Sequence, residues 1–411
     1  MVEIKAFLGL LYLIGVQKQN HVDIEELWSP EFGSNLFRLV MSRNRFVILS
    51  CNLRFDDKET RAHRKKSHGL APIKEIWDIF IEKCKKLYKP SHNCTIDEQL
   101  LSFRGRFKGK VYIPKKPVKY GIKIVCINDV QTSYMFDAEP YAGKGPWSKD
   151  NSAFHYLTTL SESIRDSSRN ITCDNWFTQV KSVQHLKKNL GVTTVGTIRK
   201  NKPEIPPLFT KKAEPGTARF AYAEGMTLLS WCPKKNKVVL LLSSLHKAGY
   251  ILKDQTKPEI VDFYNKTKNG TDTFDQICKN YTTARVSKRW PMRLFYGMLD
   301  QAGVNSNILL NLSSKNKEKL YRRDYLKALG LALVQPHLAE RLKQRNIPNT
   351  LKIRIREILG ENTTHDEPEE IIIKTEKRKR CQCNKLTIWI CSKCHVAACD
   401  DHRIHLCFNC K

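Results

Sequence analysis

No apolar run in this 411-residue chain reaches the eighteen or so residues that a membrane-spanning helix needs. Acidic residues are scarce, with 41 Asp plus Glu against 71 Lys plus Arg, for a formal charge of +30 and a pI near 9.6. Such a surplus repels itself in a compact fold unless a polyanion offsets it, and nucleic acid is the first candidate. An anionic membrane surface is the second, but the basic residues are spread through folded-looking segments and no lipidation signal is present. A secretory signal is also missing: AFLGLLYLIG (6–15) lacks a small-residue cleavage site and reads as an amphipathic helix. Asn-x-Ser/Thr triplets such as Asn170-Ile171-Thr172 then carry no weight. There is no internal repeat. Cysteine is thin before residue 300, where seven occur singly, the usage of reduced thiols inside a cell.

What is present is a chain with enough apolar residues, 41%, to build real cores. Residues 1–92 repeat apolar positions at helical spacing, as in APIKEIWDIFIEKCKKLY. From 93 the pattern becomes β-rich: CTIDEQLLSF (94–103), KYGIKIVCIND (119–129) and SYMFDAEPY (133–141). A helix over 152–167, a strand NITCDN (170–175), a helix near 179–189 and a strand GVTTVGTI (191–198) complete an α/β layer pattern. Proline-rich KNKPEIPPLF opens an expected inserted β unit at 201–255. Residues 256–282 return to the core and 283–359 are helical. An acidic then basic linker (360–380) follows, and a cysteine-rich segment (381–411) ends the chain.

Against the basic background, GTDTFDQ (270–276) keeps Asp272 and Asp275 on one helical face. Helix capping accounts for such residues in most proteins. Asp97 in TIDEQ and Asp174 in TCDNWF add a first strand and a later strand end. Acids on a first strand, a later strand end and a helix start have the layout of a ribonuclease-H-like metal site. There, hard oxygen ligands hold two Mg²⁺ ions for an in-line phosphoryl transfer.

At these positions the sequence resembles the piggyBac transposase family. TIDEQLLSFRGR, VYIPKKPVKYGIK, NITCDNWFT, VGTIRKNK, YNKTKNGTDTFDQ and RWPMRLFYGM all resemble that family's blocks, in order, and MSRNRFVILSCNLRFDD and LAPIKEIWDIF resemble its upstream helical region. The resemblance implies an RNase-H-like catalytic core with an inserted β domain. It also implies a discontinuous helical domain for dimerisation and DNA binding, and a C-terminal zinc cross-brace. It implies a DDD-type nuclease and strand transferase whose Mg²⁺ (or Mn²⁺) ligands are Asp97, Asp174 and Asp272, with Asp275 a fourth acid of the motif. The family's activity is cut-and-paste DNA transposition: nicking at each transposon end, hairpin formation, reopening, and joining to TTAA. Its partners are double-stranded DNA and a second copy of the chain, in the nucleus, without a membrane or a small-molecule substrate. Family members carry a longer acidic N-terminus, so this chain opens inside the helical domain, and a domesticated, catalytically silent nuclear DNA-binding protein is the rival expectation.

The run FRGRFKGKVYIPKKPVKYGIK (103–123) alternates cations with glycine and aromatic residues, suiting phosphate contact. Its candidates are Arg104, Arg106, Lys108, Lys110, Lys115, Lys116 and Lys119, joined by Arg199, Lys200, Arg285, Lys288 and Arg289. Trp290 is open to two readings, core packing or stacking on an unpaired base. The tail holds four ligand pairs: Cys381 and Cys383, Cys391 and Cys394, Cys399 and His402, Cys407 and Cys410. Eight ligands in close pairs fit two tetrahedral Zn²⁺ sites, with His395 and His405 as possible substitutes. Interleaved use, first pair with third and second with fourth, resembles the family's cross-brace. The basic run Lys377–Arg380 suggests nuclear entry.

Overall fold

A computed structural model of the chain describes residues 1–114, 116–145, 151–251, 257–313, 318–344, 347–361, 372–391 and 395–400. The chain divides into two compact units, Met1–His337 and Leu338–Lys411.

The first unit is built on a nine-stranded sheet. Strands β1 (Asn93–Ser102), β2 (Lys110–Tyr112), β3 (Tyr120–Asp129) and β4 (Met135–Pro140) are joined antiparallel, with β2 and β4 sharing one edge of β3. On the other side of β1 lie β5 (Asn170–Cys173) and β6 (Thr193–Thr197), both parallel to it in direction. β7 (Ala218–Ala223), β8 (Met226–Lys234) and β9 (Lys237–Ser243) form an antiparallel meander whose last strand pairs with β6. The segment expected as an insert therefore extends the central sheet, because Leu241, Leu242 and Ser243 of β9 pair with the edge that β6 would otherwise expose.

The alternation along β1 and β3 separates two cores. Ile96, Val125 and Ile127 face Tyr156, Leu157 and Leu160 of the helix Ala153–Ser161. Leu101, Ile122, Ile124 and Cys126 face Trp77, Phe274, Leu294 and Met298 of three other helices. A sheet buried on both sides needs apolar residues at nearly every position, and β3 shows them.

The helix Val2–Val16 departs from the amphipathic expectation. Ala6, Phe7, Leu10, Leu11, Leu13 and Ile14 are all buried, so the helix is enclosed, as its apolar circumference requires. Gly9 permits that enclosure, since a Cβ there would lie 2.7 Å from the carbonyl oxygen of Gly330. No described helix is long and apolar enough to cross a membrane.

The second unit contains the helix Asn349–Leu359, ended by Gly360 at φ +69°, and a hairpin of β10 (Ile372–Arg380) and β11 (Leu386–Cys391). The sequence reading ended a linker at 380, but Lys377–Arg380 belong to a strand. The β-rich stretch LTIWIC supplies its partner, with Lys379 opposite Thr387 and Arg380 opposite Leu386.

Candidate active site

Parallel pairing sets the first two acids side by side. Ile96 of β1 is in register with Cys173 of β5, so Asp97 and Asp174 are the next positions on adjacent strands. Asp174 leaves the strand in a turn where its Oδ1 accepts the amides of Trp176 (2.8 Å) and Phe177 (3.4 Å). Asp97 Oδ1 accepts the Glu98 amide at 2.7 Å.

The third acid arrives through a threonine network that the sequence reading missed. Thr95 Oγ1, two residues before Asp97, donates to the carbonyl of Thr267 at 2.7 Å. Thr172, two before Asp174, meets the Thr267 hydroxyl at 2.7 Å. Thr271 Oγ1 donates to Asn128 Oδ1 (3.0 Å) and to the Thr95 carbonyl (3.4 Å). These bonds staple the helices Glu259–Thr267 and Gly270–Asn280 onto β1 and β5, with Asp272 in the first turn of the second helix. Gly270 allows the approach, as a Cβ there would sit 2.9 Å from Thr95 Oγ1.

Asp272 does not cap its helix. Asn269 is the N-cap, with no side-chain capping bond, and the Asp272 carboxylate instead lies 3.7 Å from Lys116 Nζ, with 62% of its side chain exposed. Asp275 is different: it is buried, pairs with Lys279 at 2.5 Å, and leaves Oδ1 without a hydrogen-bond partner. Glu98, absent from the sequence-derived candidates, sits 3.9 Å from the same Lys116 Nζ.

Burial and then Glu98 push the Asp97 carboxyl up to about 9. Burial also raises Asp174, against the pull of the Trp176 amide. The site's donors are all carboxylate oxygens, hard ligands of the kind that suits Mg²⁺ or Mn²⁺. Among the described residues, however, the three aspartates do not bring their oxygens within 4.8 Å of one another.

The basic candidates divide. Arg104, Arg106, Lys110 and Lys288 line a cleft of about 910 Å³ that also contains Asp275, Lys279 and Arg293. Lys108, Lys119 and Lys200 are exposed, while Lys115 lies outside the described residues. Arg199 donates to Asn175 Oδ1 beside Asp174. Lys116 is at the acidic site. Arg285, which also lines this cleft, and Arg289 are tied to backbone carbonyls. Arg285 donates to the carbonyls of Gln19, Asn20 and Val22, and Arg289 to those of Ser50, Cys51 and Leu53. Carbonyls of the 19–22 loop and of the C-terminal turn of the helix Arg43–Asn52 take these guanidinium forks, which pin the 281–289 segment to the N-terminal helical region. Trp290 is partly buried and stacks on Phe107 at 4.5 Å, against one of the two cores.

In the second unit the Sγ atoms of Cys381, Cys383 and Cys399 lie within 4.8 Å of one another, with Cys383 and Cys399 3.4 Å apart and no disulfide. Backbone amides of Cys383 and Cys399 hold the Cys381 thiol below its usual range, favouring the thiolate that binds metal. The cluster joins the first expected pair to the third. Cys391 is buried, and Cys394, His402, Cys407 and Cys410 lie outside the described residues.

A family model described as Transposase IS4 matches residues 1–307. Among solved structures, the cryo-EM structure of the piggyBac transposase synaptic complex with hairpin DNA is similar at a TM-score of 0.87 and 37% identity, over 100% of this chain and 88% of that one. The human PiggyBac transposable element-derived protein 3 is 24% identical over 425 residues, covering 96% of this chain and 68% of that protein. The human chimeric ERCC6-PGBD3 protein is also 24% identical over 425 residues, covering 96% of this chain and 38% of its own length.

Proposed function

The chain belongs to the piggyBac family of transposases, and on that premise we propose that it is a cut-and-paste DNA transposase with a DDD catalytic site. The observation that carries the reading is the meeting of Asp97, Asp174 and the Asp272 helix through strand register and the Thr267 staple. The strand order β4-β3-β1-β5-β6, antiparallel and then parallel, supports an RNase-H-like core. Asp97, Asp174 and Asp272 would hold Mg²⁺ or Mn²⁺, which when bound stabilises charge on the oxygens of an in-line displacement at phosphorus.

The protein's own residues do the rest. Glu98 and burial tune Asp97, and the Asp174 turn fixes one carboxylate oxygen, leaving the other for a ligand. The cleft bearing Arg104, Arg106, Lys110 and Lys288 takes the phosphate backbone. Proposed chemistry is nicking at a transposon end, attack of the freed 3′-OH on the opposite strand to give a hairpin, reopening, and joining to a TTAA target. Two ends held together call for a homodimer. Cys381, Cys383 and Cys399 would hold one structural Zn²⁺, with His402 as fourth ligand, and Cys391, Cys394, Cys407 and Cys410 a second. The protein would act in the nucleus, with the Lys377–Arg380 strand contributing to entry.

The test is incubation of the full chain with a TTAA-flanked terminal-repeat duplex and Mg²⁺. Nicks at the transposon boundary support a transposase. DNA binding with no strand cleavage in Mg²⁺ or Mn²⁺ would instead identify a silent DNA-binding descendant.

A further inference from the structure

The β2–β3 connection carries Ile113-Pro114-Lys115-Lys116-Pro117, two prolines around a pair of lysines. Proline fixes φ on both sides of the pair, restricting the loop. The Lys116 amide donates to the Ile113 carbonyl at 3.3 Å, and the side chain turns inward, only 25% exposed. Its Nζ lies 3.7 Å from Asp272 Oδ1, 3.9 Å from Glu98 Oε1 and 3.5 Å from the Glu98 carbonyl oxygen.

We infer that Lys116 is the resident counter-ion of the acidic site, an internal cation that a divalent metal must displace to load it. This rests on the reading of Asp97, Asp174 and Asp272 as metal ligands. An ammonium needs acceptors near 2.8 Å for strong charge-assisted bonds. At 3.7 and 3.9 Å it makes no close bond to either carboxylate, and its hydrogen bond to the Glu98 carbonyl is long at 3.5 Å, so it can be exchanged. The exchange replaces one positive charge with two, which a group of carboxylates at short range favours. Asp272 turns away from Lys116 as it turns toward the ion, and the freed ammonium becomes a positioning group for an arriving phosphate.

The competition is read directly by Mn²⁺ binding to the full, zinc-replete chain without DNA, followed by electron paramagnetic resonance of free Mn²⁺. Lys116→Met removes the competing charge and is expected to tighten binding about tenfold, while Lys116→Arg, which keeps the charge, stays within about threefold of wild type. Asp97→Asn should abolish this binding in every background, which separates the site from the cysteine tail. Mn²⁺ affinity in Lys116→Met equal to or weaker than wild type, with the Asp97-dependent site intact, overturns the inference and leaves the proposed function standing. If no Asp97-dependent Mn²⁺ binding occurs in any variant, both fall.

Discussion

The carboxylate site and the cysteine cluster draw ligands from opposite kinds of sequence. Cys381, Cys383 and Cys399 fall within nineteen residues and converge to within 4.8 Å in a small hairpin unit. Asp97, Asp174 and Asp272 span 176 positions, are carried by a large sheet and a helix packed on it, and remain open, with Lys116 near both Glu98 and Asp272. A structural metal replaces a missing core, so its ligands must close around it. A catalytic metal exchanges and meets substrate, so its ligands are better carried by a fold that stands without it.

That contrast is broken most severely at the cysteines. Cys399→Ser should cost zinc-dependent stability on the order of 10 kcal/mol in the second unit and melt it. Calorimetry should show the transition of the first unit unmoved, and a shift of both transitions would contradict the distinction. Next in size is Arg285→Met, which removes guanidinium hydrogen bonds to three backbone carbonyls and should destabilise the first unit by about 3 kcal/mol. Its non-specific DNA affinity should stay near wild type. Arg104→Met should do the reverse, keeping the melting temperature and lowering the salt slope of DNA binding by about 1.

The acidic site should show the signature of stability given up for function. Asp97 has a folded pKa raised toward 9, so the metal-free fold takes up protons and loses stability as pH rises from the unfolded carboxylate range through neutrality. Asp97→Asn should therefore stabilise the metal-free protein by about 2 kcal/mol at pH 8, and the gain should vanish toward pH 4. A pH-independent difference between the two melting curves would refute this. The smallest effect is expected at the staple, where Thr267→Val should cost about 1 kcal/mol while slowing cleavage more than that loss of fold explains.

Much of this was legible in the sequence. Strands β1, β3, β4, β5 and β6 follow from β-rich runs bounded by turns, and Cys399 of the third ligand pair meets Cys381 and Cys383 of the first. Local spacing suffices where ligands are close along the chain. The acids were found through their resemblance to family motifs, since no short-range pattern ties residue 97 to residue 272. Thr95, Thr172 and Thr267 escaped notice because a threonine in a strand or helix reads as ordinary β-branched filling until its hydroxyl is seen to cross between elements. The carbonyl contacts of Arg285 and Arg289 were hidden for the same reason. Composition marks a cation, and only the fold reveals that backbone carbonyls have already claimed it.

The central claim is that Asp97, Asp174 and Asp272 form one metal-dependent cleavage site, and single-turnover cleavage of a transposon-end duplex addresses it directly. The wild-type chain should cleave in Mg²⁺ or Mn²⁺. Asp97→Asn, Asp174→Asn and Asp272→Asn should each lose roughly a thousandfold in rate while binding the duplex normally. Near-wild-type cleavage by any one of the three would contradict the account.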